Sequence, residues 1–198
     1  MSHMDPTVQS LLKQTPGRKL KVPLLTPRME LRPFAESDIE GIVELLADRE
    51  TTRFIGSIKS PQVAADSVRN MRDAFAARGW GTLAVLLRGK NDCLGYCGVR
   101  PLPHTAEMEL AFALRRAYWN QGYCTEAAAA SIDAAFNSLG VKSIVATVYP
   151  ENKSSLRVLE KLGMQFESEV FGHWPMTTAL LFRLDSARWL ARHTYRGQ

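Results

Sequence analysis

Cysteine is scarce: the 198 residues contain three, an odd number. That supports no disulfide framework. Cys93 and Cys97 have no His or Cys companion at metal-ligand spacing. All three read as reduced thiols in a cytoplasmic protein. Long apolar runs are missing, and nothing approaches the ~20 residues of a membrane span. The stretches 83–87 and 144–148 have the length of buried strands. No long apolar block stands near the start, so a secretory signal finds no support. Glycine-rich phosphate signatures are lacking too. No Gly-Lys-Ser/Thr follows Gly122, and no further glycines complete a dinucleotide fingerprint around it. The net charge of +5 favours anionic ligands in general terms. It does not point to nucleic acid, since no basic stripe with interleaved aromatics stands out.

What is present fits one ordinary core, because a chain of this length would cramp two full domains. Residues 5–21 are polar, carry Pro16 and Gly17, and lack periodicity. The expectation is a flexible leader over 1–21, with 1–4 a tag remnant, and a single domain over 22–198. A strand is expected within 24–34. Ser37 or Asp38 caps a helix to Ala47, and Ser60-Pro61 opens a second that ends near Arg78-Gly79. Residues 80–87 and 93–100 read as a hairpin around a turn at 89–92. In a strand over 107–114, Glu107, Glu109, Ala111 and Ala113 share one face, and Met108, Leu110, Phe112 and Leu114 the other. A helix over 125–139, a β-branched strand over 143–149, a helix over 152–162 and strands over 165–170 and 178–184 follow. The order is that of a mixed α/β domain, not a doubly wound alternation.

Two segments carry the chemistry. In Trp119-Asn120-Gln121-Gly122-Tyr123-Cys124-Thr125-Glu126, a strand feeds a loop and a helix start. Gly122 permits a tight turn, and the helix start offers free N–H groups and a positive dipole end to an anion. In Asn152-Lys153-Ser154-Ser155, polar residues open a second helix, whose Leu156, Leu159 and Leu162 share a face. Each segment alone reads equally as an ordinary capped turn. Together they place two helix starts at the ends of neighbouring parallel strands, where ligands of open sheets bind.

These segments resemble the GNAT superfamily of N-acetyltransferases, in particular its Rim-type branch. Trp119 to Ala127 stands where that branch commonly has Trp-Gly-Lys-Gly-Tyr-Ala-Thr-Glu-Ala. Pro150, Asn152, Ser155, Lys161 and Gly163 fit its second motif, and Arg28-Met29-Glu30-Leu31-Arg32-Pro33 resembles its opening. Asn120 and Cys124 depart from the usual small residues. The resemblance implies a mixed, mainly antiparallel sheet splayed at two parallel strands. It implies acetyl-coenzyme A as donor, with backbone from Gln121 through Gly122, Tyr123, Cys124 and Thr125 to Glu126 on the pyrophosphate. Backbone at Phe112, Ala113 and Leu114 would hold the pantetheine arm with Asn152, and an N–H near Ala113 would polarise the thioester. No metal is implied.

Transfer needs a neutral amine and a departing thiol. Glu109 is the first candidate base, directly or through water, with Glu107 the runner-up on the same face. Ser155 resembles the serine that protonates the thiolate in some relatives; the tyrosine many relatives use is Leu159 here. Cys124 as nucleophile, His104 and His173 as amine-site residues, and Arg115, Arg116, Lys153 and Arg157 on phosphates carry less weight than their plain structural readings. So do Trp80, Phe34, Phe54 and Trp174 as walls of a substrate cleft. The expected acceptor is a protein N-terminal amine, a ribosomal protein among the candidates. A small-molecule amine such as an aminoglycoside or polyamine is the alternative, and a non-catalytic coenzyme-A sensor the rival class. A monomer or homodimer away from membranes fits all three.

Overall fold

The computed structural model describes residues 6–171 and 177–194. Eight strands form one sheet in the order β1-β2-β3-β4-β5-β6-β8-β7. They are β1 (Leu24–Leu25), β2 (Met29–Arg32), β3 (Thr82–Leu87), β4 (Cys93–Pro101), β5 (Met108–Leu114), β6 (Ser143–Val148), β7 (Gln165–Phe171) and β8 (Thr178–Asp185). The helices are α1 (Pro6–Gln14), α2 (Ile39–Ala47), α3 (Arg49–Thr52), α4 (Pro61–Arg78), α5 (Tyr123–Ala134), α6 (Lys153–Leu162) and α7 (Ser186–Thr194). All strand pairings are antiparallel except β5 with β6. This is the mixed sheet the resemblance implied.

Local chemistry sets the element ends much as the sequence reads. The Ser60 hydroxyl accepts from the N–H of Val63, Pro61 fills the first turn of α4, and Gly79 closes it at φ 78°. β5 keeps its two faces: Met108, Leu110 and Leu114 enter the main core, with Phe112 packed against it. That core also takes Ala127, Ala128 and Ile132 of α5, Leu159 and Leu162 of α6, and Trp189 of α7. A second cluster sits under α2 and α4, with Phe34, Ile42, Ala64 and Val68 on Ala84 and Leu86 of β3. Each such large side chain contributes roughly 1.5–3 kcal/mol on burial.

Two expectations need correction. Residues 6–14, read as leader, form α1, and Leu11 is 1% exposed within the main core. Val8, Leu11 and Leu12 carry the i, i+3, i+4 spacing of a helical stripe, but it is too short to stand out beside Pro16 and Gly17. α5 begins at Tyr123, two residues before the expected start, and its last turn, Ala135–Leu139, is a π-helix. Trp80 and Phe34 lie in the core, as their plain structural readings had it.

Candidate functional site

β5 and β6 meet at one register pair, Glu109 with Val145. Beyond it the strands part. The hydrogen-bonding sense of β5 follows from its two ends. Leu102 donates to the Glu107 carbonyl at 3.0 Å, and Arg115 donates to the Leu94 carbonyl at 2.7 Å. Antiparallel pairing alternates with period two, so Glu109, Ala111 and Ala113 direct their backbone groups to β4. The backbone groups of Leu110, Phe112 and Leu114 face the gap. Two contacts agree. The Ala113 carbonyl crowds Gly95 of β4, and the Leu114 carbonyl accepts from Trp119 Nε1 at 2.6 Å on the gap side. The donors facing the gap are therefore Phe112 and Leu114, not Ala113.

The loop after β5 is shaped by two left-handed residues, Asn120 at φ 60° and Gly122 at φ 80°. Asparagine tolerates this conformation better than most side chains, which accounts for its place where the resembling motif has glycine. The N–H groups of Tyr123, Cys124 and Thr125 have no backbone acceptor among the described residues. Free donors at the positive end of a helix dipole can receive an anion. Glu126 differs: its N–H donates to the Gly122 carbonyl at 3.1 Å, so it is spent on the helix.

Arg28, in the turn just before β2, fastens this loop. Its Nη1 donates to the Gln121 carbonyl at 2.8 Å, its Nε to Glu126 at 2.6 Å, and its guanidinium lies 4.4 Å from the Tyr123 ring centroid. Gln121 and Glu126 thus hold the loop from behind, and neither lines the cleft in front. Arg115 is likewise spent, on Glu44 and on Asp92 at 2.6 Å.

Two clefts meet where the strands part. The first, about 530 Å³, runs along the α5 start and α6 and touches Phe112, Ala113, Leu114, Gly122, Cys124 and Thr125. The second, about 880 Å³, lies over Glu107, Glu109, Thr147 and Tyr149, with His104 at its rim. Phe54, Ile55, Phe112, Asn152 and Ser155 line both. Phe54 stacks on Tyr149 with centroids 6.4 Å apart. The Asn152 side-chain oxygen caps α6 by accepting from the Ser155 N–H at 3.1 Å. His173 and Trp174 lie outside the described residues.

Glu109 is 3% exposed. One carboxylate oxygen accepts from Thr147 Oγ1 at 2.5 Å, the other from Arg100 Nε at 2.9 Å. Each oxygen keeps lone-pair capacity for a further proton or water. Glu107 is bound to Arg183, which also holds Glu167. Those carboxylates push the Arg183 guanidinium further up in pKa, which strengthens its charged form. Burial raises the Cys124 thiol well above its ordinary pKa, so a thiolate nucleophile there is disfavoured.

The site fits the cofactor the resemblance implied. It offers free helix-start donors for a diphosphate, an open strand edge for the amides of an extended arm, and a cleft that ends beside a carboxylate. A family model described as Acetyltransferase (GNAT) domain matches residues 28–165. The Bacillus subtilis protein YkkB is 30% identical over 156 residues, spanning 76% of this chain and 89% of its own. An acetyltransferase crystal structure from Agrobacterium tumefaciens superposes with TM-score 0.73 at 26% identity, covering 84% of this chain and 96% of that one. Mycobacterium smegmatis RimJ in complex with CoA-disulfide superposes with TM-score 0.68 at 21% identity, covering 88% and 92%.

Proposed function

This chain belongs to the GNAT acetyltransferase family, and we propose that it acetylates the α-amine of a protein N-terminus in the manner of the Rim-type branch. As an N-acetyltransferase it uses acetyl-coenzyme A, which supplies the acetyl group as a thioester. The observation that carries the acceptor reading is the second cleft. At about 880 Å³ it is larger than the donor cleft and opens beside Glu109. That is more room than a lone small amine needs, and it suits an amine on the end of a polypeptide.

The residues divide the work. The N–H groups of Tyr123, Cys124 and Thr125 hold the diphosphate, and the open edge of β5 with Asn152 holds the pantetheine arm. The N–H of Phe112 or Leu114 polarises the carbonyl that the amine attacks, an oxyanion-type interaction. Glu109 accepts the proton the amine gives up, directly or through water, with Thr147 and Arg100 fixing its orientation. Ser155 Oγ, at the junction of the clefts, gives a proton to the departing sulfur. A protein α-amine has a pKa near ~8, so a useful fraction is already neutral at pH 7 and the base need not be strong.

A mass-spectrometric acceptor screen tests the reading. Peptide pools with free N-termini, ribosomal-protein N-termini among them, compete with aminoglycosides and polyamines for acetyl groups. Acetylation confined to small amines would remove the protein-substrate reading and leave the family chemistry intact.

A further inference from the structure

The face that α6 turns toward the donor cleft is cationic. Lys153, Arg157 and Lys161 all line it, at positions i, i+4 and i+8 of the helix. Residues so spaced stand one above another, with neighbours ~5–6 Å apart between Cβ atoms. All three are exposed, and none has an ion-pair or hydrogen-bond partner for its side chain among the described residues. Two other cations near the loop are already spent, Arg28 on Glu126 and Gln121, Arg115 on Glu44 and Asp92, and Arg116 does not line the cleft. The cleft's two carboxylates, Glu50 and Glu151, lie at the end that holds Phe54 and Asn152. Arg157 and Lys161 stand one and two turns further down α6.

Coenzyme A carries two separate anionic centres, the diphosphate bridge and a phosphate monoester on the ribose 3′ oxygen. The N–H groups at the start of α5 can answer one of them. We propose that Arg157 and Lys161, with Lys153 one turn away, hold the ribose 3′-phosphate and make this protein select coenzyme A over dephospho-coenzyme A. The inference rests on the donor reading of this cleft and deepens it. A phosphate monoester offers three acceptor oxygens, and an arginine with a lysine one helical turn away supplies the donors to match them. Because the groups are open to water, the selectivity is moderate and falls with added salt.

Calorimetry on the whole protein tests this without using turnover. The ligands are coenzyme A and dephospho-coenzyme A, and the proteins are wild type and the double variant Arg157→Gln with Lys161→Gln. Wild type should bind coenzyme A about tenfold more tightly, as two partly screened charge-assisted contacts imply. The double variant should bind both ligands alike, with the wild-type affinity for the dephospho form. Equal affinities in wild type would overturn the proposal. So would a double variant that loses both ligands to the same degree while its thermal melt is unchanged, which would assign the cations to the diphosphate. If the double variant does not fold, wild type in a salt series decides. A preference that shrinks with salt supports the proposal, and one indifferent to salt contradicts it. Binding without acetylation of any amine would instead remove the catalytic reading and leave this one standing.

Discussion

Glu109 of β5 and Val145 of β6 form the register pair at which two parallel strands touch before they separate. The same glutamate lines the second cleft, where Thr147, two residues beyond Val145, donates to it at 2.5 Å. The point where the sheet opens and the point where a proton can be taken are therefore one place. The strand edge exposed by the parting leads from there to the loop before α5.

Glu109→Gln keeps the shape and removes proton acceptance. With an N-terminal peptide as acceptor, kcat should fall by about 10²–10³-fold, the usual range for a general base. Affinity for acetyl-coenzyme A should hardly change. Arg100 loses a charged partner, but its side chain is half exposed and keeps access to water, so the variant should still fold, which its thermal melt checks. Raising the pH should recover part of the rate, as more amine becomes neutral. Matching pH–rate profiles for the two proteins would make Glu109 structural.

Arg28→Ala tests the fastening of the loop. KM for acetyl-coenzyme A should rise about tenfold, in line with the loss of charge-assisted bonds to Gln121 and Glu126, while kcat changes less. The variant also has a pH signature. Burial pulls the Glu126 carboxyl up in pKa, but hydrogen bonds from Thr26 and Arg28 outweigh it and hold the group below 4.5. A carboxyl held low in the folded state adds stability above its unfolded pKa and loses it as pH falls through the folded one. Wild type should melt above the variant at neutral pH, and the gap should close in acid. A gap independent of pH would place the effect elsewhere.

Asn120 and Gly122 both require left-handed backbone, so their replacements should separate by residue type. Asn120→Gly should leave stability nearly unchanged, and Asn120→Ala should cost about 1 kcal/mol. Gly122→Asp adds bulk 3.3 Å from Arg28 Nη2 and a negative charge beside the diphosphate donors. It should weaken coenzyme A binding strongly in a protein that still folds, measured by calorimetry. An unchanged affinity would move the cofactor away from this loop.

Leu11→Ala probes the segment that reads as a leader. A leucine 1% exposed in the main core should cost about 2–5 kcal/mol on truncation, seen as a lower urea midpoint. A change below ~0.5 kcal/mol, the size usual for surface positions, would return α1 to the role of an appendage.

Much of the site was legible in the sequence because its parts are local. The left-handed Gly122, the α5 start and the Asn152 cap each follow from a few adjacent residues. Alternation along β5 likewise placed Glu109 opposite the core face. What was not legible is what the chain brings together from afar. Arg28 and Glu126 are 98 residues apart, and Thr147 reaches Glu109 across 38. Neither contact leaves a periodic trace. Which N–H near Ala113 faces the gap was not legible, because side-chain alternation does not say which neighbour a strand's hydrogen bonds face. That needed the bonds of Glu107 and Arg115 to β4.

Amide hydrogen exchange, resolved by residue and run with and without acetyl-coenzyme A, tests the arrangement most directly. Binding should slow exchange at Phe112 and Leu114 on the open edge of β5 and at Tyr123, Cys124 and Thr125 at the start of α5. Ala111 and Ala113, whose N–H groups already face β4, should change far less. Protection that spares the β5 edge and the α5 start, or that falls equally on Phe112 and Ala113, would contradict the placement of the cofactor between the parted strands.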